Sequence, residues 1–195
     1  METHSLTDRW RHRLFRILET TNSGTPLKEA ALAGKLGDWT RHLTGSVFAA
    51  CGVMGWRAAA MGHLGDVLPV ARNEYLSLDV IAFPESGARW TFPVAVFELE
   101  NSKDDDAVAY SLWKVLCVRT PLRVVFAYRR DASEGAELVG RLTDSLIGGL
   151  SIAERFAFAG ETSLIIGNRG GADTFPYGYF KAWTLDTNTG RFDRV

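Results

Sequence analysis

The amino-terminal part of the chain has the hydrophobic spacing of amphipathic helices. In DRWRHRLFRILET, Trp10, Leu14, Ile17 and Leu18 recur at helical intervals, and most of the other positions are basic. The stretch NSGTP is expected to interrupt the chain, and KEAALAGKLGDWTRHL predicts a second helix that continues toward Cys51. The sequence therefore predicts a helical amino-terminal part.

The middle of the chain changes to the pattern of β-strands. GWRAAAMGH is ambiguous between a helix end and a strand, and we favour the strand. EYLSLDVIAF and WTFPVAVFELE are rich in β-formers and flank the turn-like PESGAR, so they predict a hairpin. DDDAVAYSLWKVLCVRT predicts a helix that ends before Pro121, and LRVVFAYR predicts a strand. Strand, helix and strand over roughly 35 residues have the length of a βαβ crossover, which implies a parallel pair.

The carboxyl-terminal part predicts one more helix, GAELVGRLTDSLIGGL, and then strands in SLIIGNRGG and YFKAWTLDTNTGRFDRV. We therefore predict a single α/β domain over residues 1–195, with a central mixed β-sheet flanked by helices. Its helical amino-terminal part spans about 6–55, its α/β core about 56–130, and its last helix and strands about 131–195.

The composition is typical of one folded domain. The chain has 195 residues, of which 46% are hydrophobic and 23% are charged. Cys51 and Cys117 lie far apart in apolar runs, so we interpret them as buried free thiols. The first residues have no apolar signal-peptide region, and the apolar stretches are far shorter than the ~20 residues that span a bilayer. We expect a soluble, cytoplasmic protein.

Two carboxylates stand at alternate positions of a predicted core strand. Glu98 and Glu100 of FELEN project to one side of this strand, whereas Phe97 and Leu99 face the other. Asp79 lies within the preceding strand, where an unpaired carboxylate would be costly to bury. If the two strands pair, Asp79 lies beside Glu98. Three carboxylates brought together favour a hard divalent cation such as Mg²⁺ or Mn²⁺.

A structural explanation of the carboxylates stays open beside the metal site. Glu98 and Glu100 would then pair with arginines such as Arg119 or Arg123, or the strand end would reach solvent. Asn101, which follows the pair, could hydrogen-bond a phosphate or cap the next helix, and we favour the cap. The scattered histidines and the absence of an HExxH motif or a nucleophile elbow exclude the zinc and serine hydrolases, and IIGNRGGAD lacks phosphate-loop spacing.

The order of these features resembles the PD-(D/E)XK nuclease-like superfamily over about residues 45–130. The shared order is Asp, hairpin turn, Glu-x-Glu at the end of an apolar strand, helix and strand. The resemblance implies a restriction-endonuclease-like core with metal ligands at Asp79 and Glu98. Glu100 stands where the family usually has lysine, as in some type II restriction endonucleases that carry a second glutamate there.

The resemblance also implies that a lysine on the following helix replaces the missing one. Lys114 lies on that predicted helix, one turn after Tyr110 on the same face. Lys103, in ENSKDDD, is the competing candidate, although an exposed loop lysine is its ordinary interpretation. Glu74 is a further candidate carboxylate. Tyr110 is an additional candidate for the site, but like Tyr75 it is interpreted first as a packing residue.

The resulting hypothesis is a Mg²⁺- or Mn²⁺-dependent phosphodiester hydrolase that acts on DNA or RNA. Asp79, Glu98 and Glu100 would hold the metal, and Lys114 would orient water or balance developing charge. The alternative is a catalytically inactive nuclease-fold protein that serves as a binding or scaffold subunit. The absent lysine and the small net charge favour this alternative.

The charge pattern limits the partners. A net charge of −1 gives no overall attraction to nucleic acid, but Arg9, Arg13 and Arg16 on the first helix form a basic face that is a candidate for contacts with a phosphate backbone. A protein partner or a second copy of the chain is also open, with Phe180 and Trp183 as candidate interface residues.

Overall fold

A computed structural model of the chain describes residues 5–63, 67–70, 72, 74–86 and 89–195. Within these ranges, seven strands form one mixed sheet whose spatial order follows the order along the chain. The strands are β1 (Trp56–Ala60), β2 (Val80–Pro84), β3 (Ala95–Leu99), β4 (Leu122–Arg129), β5 (Glu161–Asn168), β6 (Phe180–Asp186) and β7 (Arg191–Arg194).

Six α-helices accompany these strands in the described ranges. They are α1 (Leu6–Leu18), α2 (Thr21–Leu32), α3 (Leu36–Val53), α4 (Asp105–Leu116), α5 (Ala132–Leu142) and α6 (Ile152–Phe156). None of the helices in the described part of the chain combines the length and the apolar character that crossing a membrane requires.

The order of strand directions matches the sequence prediction. β2 and β3 are antiparallel, β3 and β4 are parallel across α4, and β4 and β5 are parallel across α5 and α6. The α/β class with a mixed sheet flanked by helices is confirmed, as are the hairpin and the βαβ crossover. An antiparallel pair that leads through a helix to a parallel strand is also the order that the PD-(D/E)XK resemblance implies.

The two faces of the sheet are covered by different helices. α1 buries Trp10 and Leu14 in the same cluster as Phe97, whereas α4 buries Val108 and Leu112 in the cluster of the opposite face. Each fully buried side chain of this size contributes about 1.5–3 kcal/mol to folding. The helices of the amino-terminal part and α4 therefore lie on opposite sides of the sheet.

The predicted break at NSGTP is wrong, because α2 begins at Thr21 and includes this stretch. Gly24 explains the difference: a Cβ atom at this position would lie 1.9 Å from the carbonyl oxygen of Leu18. The glycine therefore permits a close approach between the helix and the preceding chain. The actual break lies later, at Gly34, whose φ is +67°, so that the predicted second helix is divided into α2 and α3.

Three expectations about burial are also wrong. Cys51 is buried as predicted, but Cys117 is exposed, because it follows the last turn of α4. Phe180 and Trp183 are buried in the cores on opposite faces of the sheet. They are not free to form the interface that the sequence suggested.

Candidate active site

Asp79 and Glu98 lie side by side on neighbouring strands. Asp79 directly precedes β2, and Glu98 is the last residue but one of β3. The register sets Val80 opposite Phe97, so the next pair of positions along the two chains is Asp79 and Glu98. The Asp79 amide donates to Glu98 Oε1 at 3.3 Å, and the Leu99 amide donates to Asp79 Oδ2 at 2.7 Å. The two carboxylates thus join the strands here in place of backbone ladder bonds. The predicted neighbourhood of Asp79 and Glu98 is confirmed.

Glu98 points toward α4, as the strand alternation predicts. Phe97 and Leu99 belong to the core on the opposite face of the sheet. Val96, two residues before Glu98 and therefore on the same side of the strand, packs on the face that α4 covers. Ser111 on α4 donates from Oγ to Glu98 Oε2 at 3.3 Å. Glu98 is only 4% exposed, so its carboxylate is shielded from bulk water.

Lys114 supplies the positive charge beside this carboxylate. Its Nζ lies 2.8 Å from Glu98 Oε2 and donates to the carbonyl oxygen of Ser77 at 2.7 Å. Residues three apart share a helix face, so α4 directs both Ser111 and Lys114 at Glu98. The Lys114 side chain is 20% exposed to solvent. The predicted direction of Lys114 toward the carboxylates is confirmed.

The backbone that holds Lys114 is strained. Leu76 and Ser77 have φ values of +57° and +54°, in the left-handed region that residues with a side chain rarely adopt. Each such residue costs on the order of 1–3 kcal/mol, and strain of this kind clusters at functional sites. It also explains why the strand predicted from EYLSLDVIAF begins only at Val80. The strained turn orients the Ser77 carbonyl toward Lys114.

The electrostatics of the site leave negative charge only partly compensated. Burial raises the pKa of Glu98 to about 7; the hydrogen bond from Lys114 opposes this rise and the charge of Asp79 adds to it. Burial also raises the pKa of Asp79; a backbone hydrogen bond and Lys114 oppose this rise, and the charges of Glu74 and Glu100 add to it. Such a site favours either protonation or the binding of a cation.

Glu100 and Glu74 flank the pair without contacting it. Glu100 Oε1 accepts a hydrogen bond from the Ser102 amide at 2.8 Å, and the effect of Glu100 on Asp79 is electrostatic, as is that of Glu74. No group of three or more His, Cys, Asp or Glu side chains within the described ranges is spaced to hold a metal ion. The three-carboxylate metal centre remains a prediction.

The comparisons with known proteins add little to this geometry. The chain matches no protein-family model and no curated protein. It is similar in structure to NucC from E. coli MS115-1 in its cAAA-bound form, with 14% sequence identity and a TM-score of 0.47. The match covers 100% of this chain and 84% of that one. With an identity this low and a TM-score below 0.5, the similarity establishes neither a family nor an activity.

The ion pair between Glu98 and Arg123 that the sequence left open is wrong. Arg123 is almost fully buried and donates instead to backbone carbonyl oxygens at the ends of α4 and α6; these belong to Val115, Val118, Phe158 and Ala159. Arg119 is exposed. The cation beside Glu98 is Lys114, because α4 passes directly over the end of β3.

Asn101 does not cap the next helix. Its side chain donates to the Leu36 carbonyl oxygen at 3.2 Å and to Thr40 Oγ1 at 2.7 Å, so it ties the loop after β3 to α3. The cap of α4 is Asp104, whose side chain accepts from the Asp106 amide. Lys103 is an exposed loop residue, as its ordinary interpretation states.

Two exposed aromatic side chains stand next to the site. Tyr110 is 61% exposed and Trp113 is 52% exposed, and their rings are stacked with centroids 6.0 Å apart. The Nζ of Lys114 lies 5.8 Å from the centre of the Tyr110 ring. The packing interpretation is therefore wrong for Tyr110, whereas Tyr75 does pack against Phe83. A spacing of three residues along the helix would have found Ser111 from Lys114 and Trp113 from Tyr110.

Proposed function

We propose that this chain is a metal-dependent phosphodiester hydrolase of the nuclease type that acts on DNA or RNA. The observation that carries the proposal is the adjacent pair of carboxylates, Asp79 and Glu98, with Lys114 2.8 Å from Glu98. Burying an ionisable side chain destabilises the fold and shifts the pKa of that side chain. Groups with pKa values shifted in this way are concentrated at functional sites. The strained turn before Asp79 supports the same assignment.

The donor set suits a hard divalent cation, Mg²⁺ or Mn²⁺. Asp79 and Glu98 would hold the cation, and Glu100 would complete the set only after its side chain leaves the Ser102 amide, because the three carboxylates are not spaced for one metal in the described arrangement. Their chemistry fits this role, because burial and then repulsion from neighbouring carboxylates raise the pKa values of Asp79 and Glu98, and a bound cation would stabilise the ionised carboxylates against both effects. When bound, the cation activates water and stabilises the charge that develops on the phosphoryl group.

Lys114 is the residue of this chain that acts on the reacting groups. An ammonium group has three N–H donors. Glu98 and the Ser77 carbonyl take two of them, which leaves one for a water molecule or a phosphate oxygen. Lys114 would therefore orient the attacking water or balance the negative charge of the transition state. Ser111 and Ser77 keep Glu98 and Lys114 in place.

The aromatic pair on α4 supports a nucleic acid as substrate. Because the two distances share Lys114 Nζ, the Tyr110 ring lies within about 9 Å of the Glu98 carboxylate. A nucleobase that stacks on Tyr110 or Trp113 would keep its phosphate near the carboxylates. Stacking of this kind tolerates any base and contributes about 1–3 kcal/mol per base. It requires an unpaired base, so single-stranded or distorted nucleic acid is the preferred substrate.

The test is cleavage of single-stranded, duplex and branched DNA and RNA in Mg²⁺ or Mn²⁺. Asp79→Asn and Glu98→Gln should each reduce cleavage to background, because a carboxamide cannot supply an anionic ligand although its size is nearly the same. Asp193→Asn is the matched control, since Asp193 is exposed on β7. Circular dichroism checks the fold, and a crystal soaked in manganese checks the position of the metal.

A second candidate function is an inactive nuclease-fold protein that acts as a binding or scaffold subunit. It is favoured by the engagement of Glu98 Oε2 with Lys114 and by the near-complete burial of Glu98. This function replaces the first one if the wild type binds no divalent metal and both substitutions raise the melting temperature. The carboxylates would then be a source of repulsion without a catalytic role.

A further inference from the structure

A second charged region of the chain has the opposite sign. A groove of about 980 Å³ lies between α1, the carboxyl-terminal end of α3, β6 and β7. Basic side chains dominate its charged lining: Arg9, Arg11, His12, Arg13, Lys181 and Arg194. Asp8 is the acidic side chain that lines it, and its carboxylate is 2.9 Å from Arg11 Nη2. The groove is therefore strongly basic.

The positive charge of this groove is largely uncompensated within the described part of the chain. Arg9, Arg13, Lys181 and Arg194 form no ion pair with another described residue. Nη1 of Arg11 is buried and has no hydrogen-bond partner among the described residues. A buried donor that lacks a partner is costly, and like charges repel one another. An anion in the groove would relieve both penalties.

The groove is separate from the candidate active site. α1 packs on the face of the sheet that carries Phe97 and Leu99, whereas Glu98 points to the face covered by α4. β6 lies three strands from β3 in the sheet, a lateral separation of roughly 14 Å. A phosphate bound in the groove is therefore not the phosphate that would be hydrolysed beside the carboxylates.

The groove also offers aromatic surface. Phe15 and Tyr177 line it, their ring centroids are 5.1 Å apart, and Tyr177 is exposed. Arginines beside exposed aromatic rings are the groups that hold a nucleotide by its phosphates and its base. The volume is near the upper end of the ~300–1,000 Å³ typical of ligand sites. We propose that this groove is a second binding site for a phosphate-bearing ligand, a free nucleotide or an oligonucleotide strand.

The test measures binding without catalysis, in EDTA and at low salt, with a fluorescein-labelled single-stranded oligonucleotide. Arg9→Ala/Arg13→Ala should weaken binding at least tenfold and should reduce the slope of log K against log salt by roughly 1–2, since each lost phosphate contact contributes about 0.7. The matched control is Arg89→Ala/Arg119→Ala, which removes the same charge at exposed positions outside the groove. This control should bind within about twofold of the wild type.

Competition with unlabelled AMP, pyrophosphate and longer strands distinguishes the two sources of the ligand. Displacement by AMP or pyrophosphate at a similar concentration identifies a free nucleotide, and displacement by longer strands alone identifies an oligonucleotide. Equal binding by the wild type and Arg9→Ala/Arg13→Ala, an equal loss in the control, or no binding by the wild type overturns the proposal. Lys181→Ala/Arg194→Ala repeats the test if the first variant does not fold.

Discussion

The candidate active site and the basic groove differ in the sign, the burial and the pairing of their charged side chains. At the site, Glu98 is buried, and Lys114, Ser111 and a backbone amide occupy its oxygens. In the groove, Arg9 and Arg13 are exposed and have no ion partner among the described residues. One region contains a counter-charge for its buried carboxylate, and the other leaves most of its basic groups without one.

Because of this difference, we expect charge substitutions to affect folding stability at the site and ligand binding in the groove. A buried ion pair is costly to assemble and more costly to break, so substitutions there should change stability together with any activity. Exposed charges contribute little to folding, so substitutions in the groove should change binding alone. The following predictions use this contrast, from the largest expected effect to the smallest.

Lys114→Ala should have the largest effect, because it leaves the Glu98 carboxylate buried without its cation. We expect the free energy of unfolding at pH 8 to fall by about 2–3 kcal/mol, less than for a fully buried pair because the Lys114 side chain is 20% exposed. Any cleavage activity should fall about 100-fold. Denaturant unfolding and initial cleavage rates measure the two effects. Lys103→Ala, at an exposed loop position, is the control and should change neither.

The stability of the metal-free protein should depend on pH through Glu98. Its pKa is raised from 4.5 to about 7 in the folded state, so the fold binds more protons than the unfolded chain between these values. Stability contributed by the protonated form is therefore lost as the pH rises from about 4.5 to 7, by up to about 3 kcal/mol. Glu98→Gln removes this titration.

The measurement is denaturant unfolding of both proteins in EDTA at pH 4.5, 6 and 8. The stability of Glu98→Gln relative to the wild type should increase from pH 4.5 to pH 8, with most of the increase below about pH 7. A difference between the two proteins that does not vary with pH would contradict the assigned burial of the Glu98 charge.

Trp113→Ala should weaken the binding of single-stranded oligonucleotides about tenfold, because it removes one stacking surface beside the site. Duplex binding should change less, since paired bases cannot stack there. Trp90→Ala is the matched control: Trp90 is 64% exposed but lies in the connection after β2, at the opposite end of that strand from Asp79. Equal losses in the two variants would remove the stacking argument. Fluorescence anisotropy in Ca²⁺ measures both, with Arg9→Ala/Arg13→Ala present in every protein compared so that the basic groove does not bind the strand.

Arg9→Ala/Arg13→Ala should have the smallest effect on the fold, with a melting temperature within about 2 °C of the wild type. Arg129→Ala should lower the melting temperature more, because Arg129 is buried and its guanidinium is 2.8 Å from Asp105. A large loss of stability in the double variant would show that these arginines have a structural role. Thermal unfolding by circular dichroism makes the comparison.

The sequence by itself determined the elements whose pattern is local. The alternation in FELEN predicted that Glu98 faces away from Phe97 and Leu99, and the apolar runs around Asp79 and Glu98 predicted that their strands pair. The strand predictions succeeded because a strand repeats every two residues, whatever the rest of the chain does. Helical spacing placed Lys114 on the face of Tyr110, and its direction toward Glu98 was implied by the family resemblance.

The tertiary structure alone decided the features that depend on distant contacts. The Ser77 carbonyl reaches Lys114 only because the backbone turns into the left-handed region, and α2 passes through NSGTP only because Gly24 permits contact with Leu18. The basic groove unites Arg9 with Arg194 from the other end of the chain. No periodicity of the sequence encodes such approaches, because they are set by how whole elements pack, and packing is determined by residues far apart along the chain.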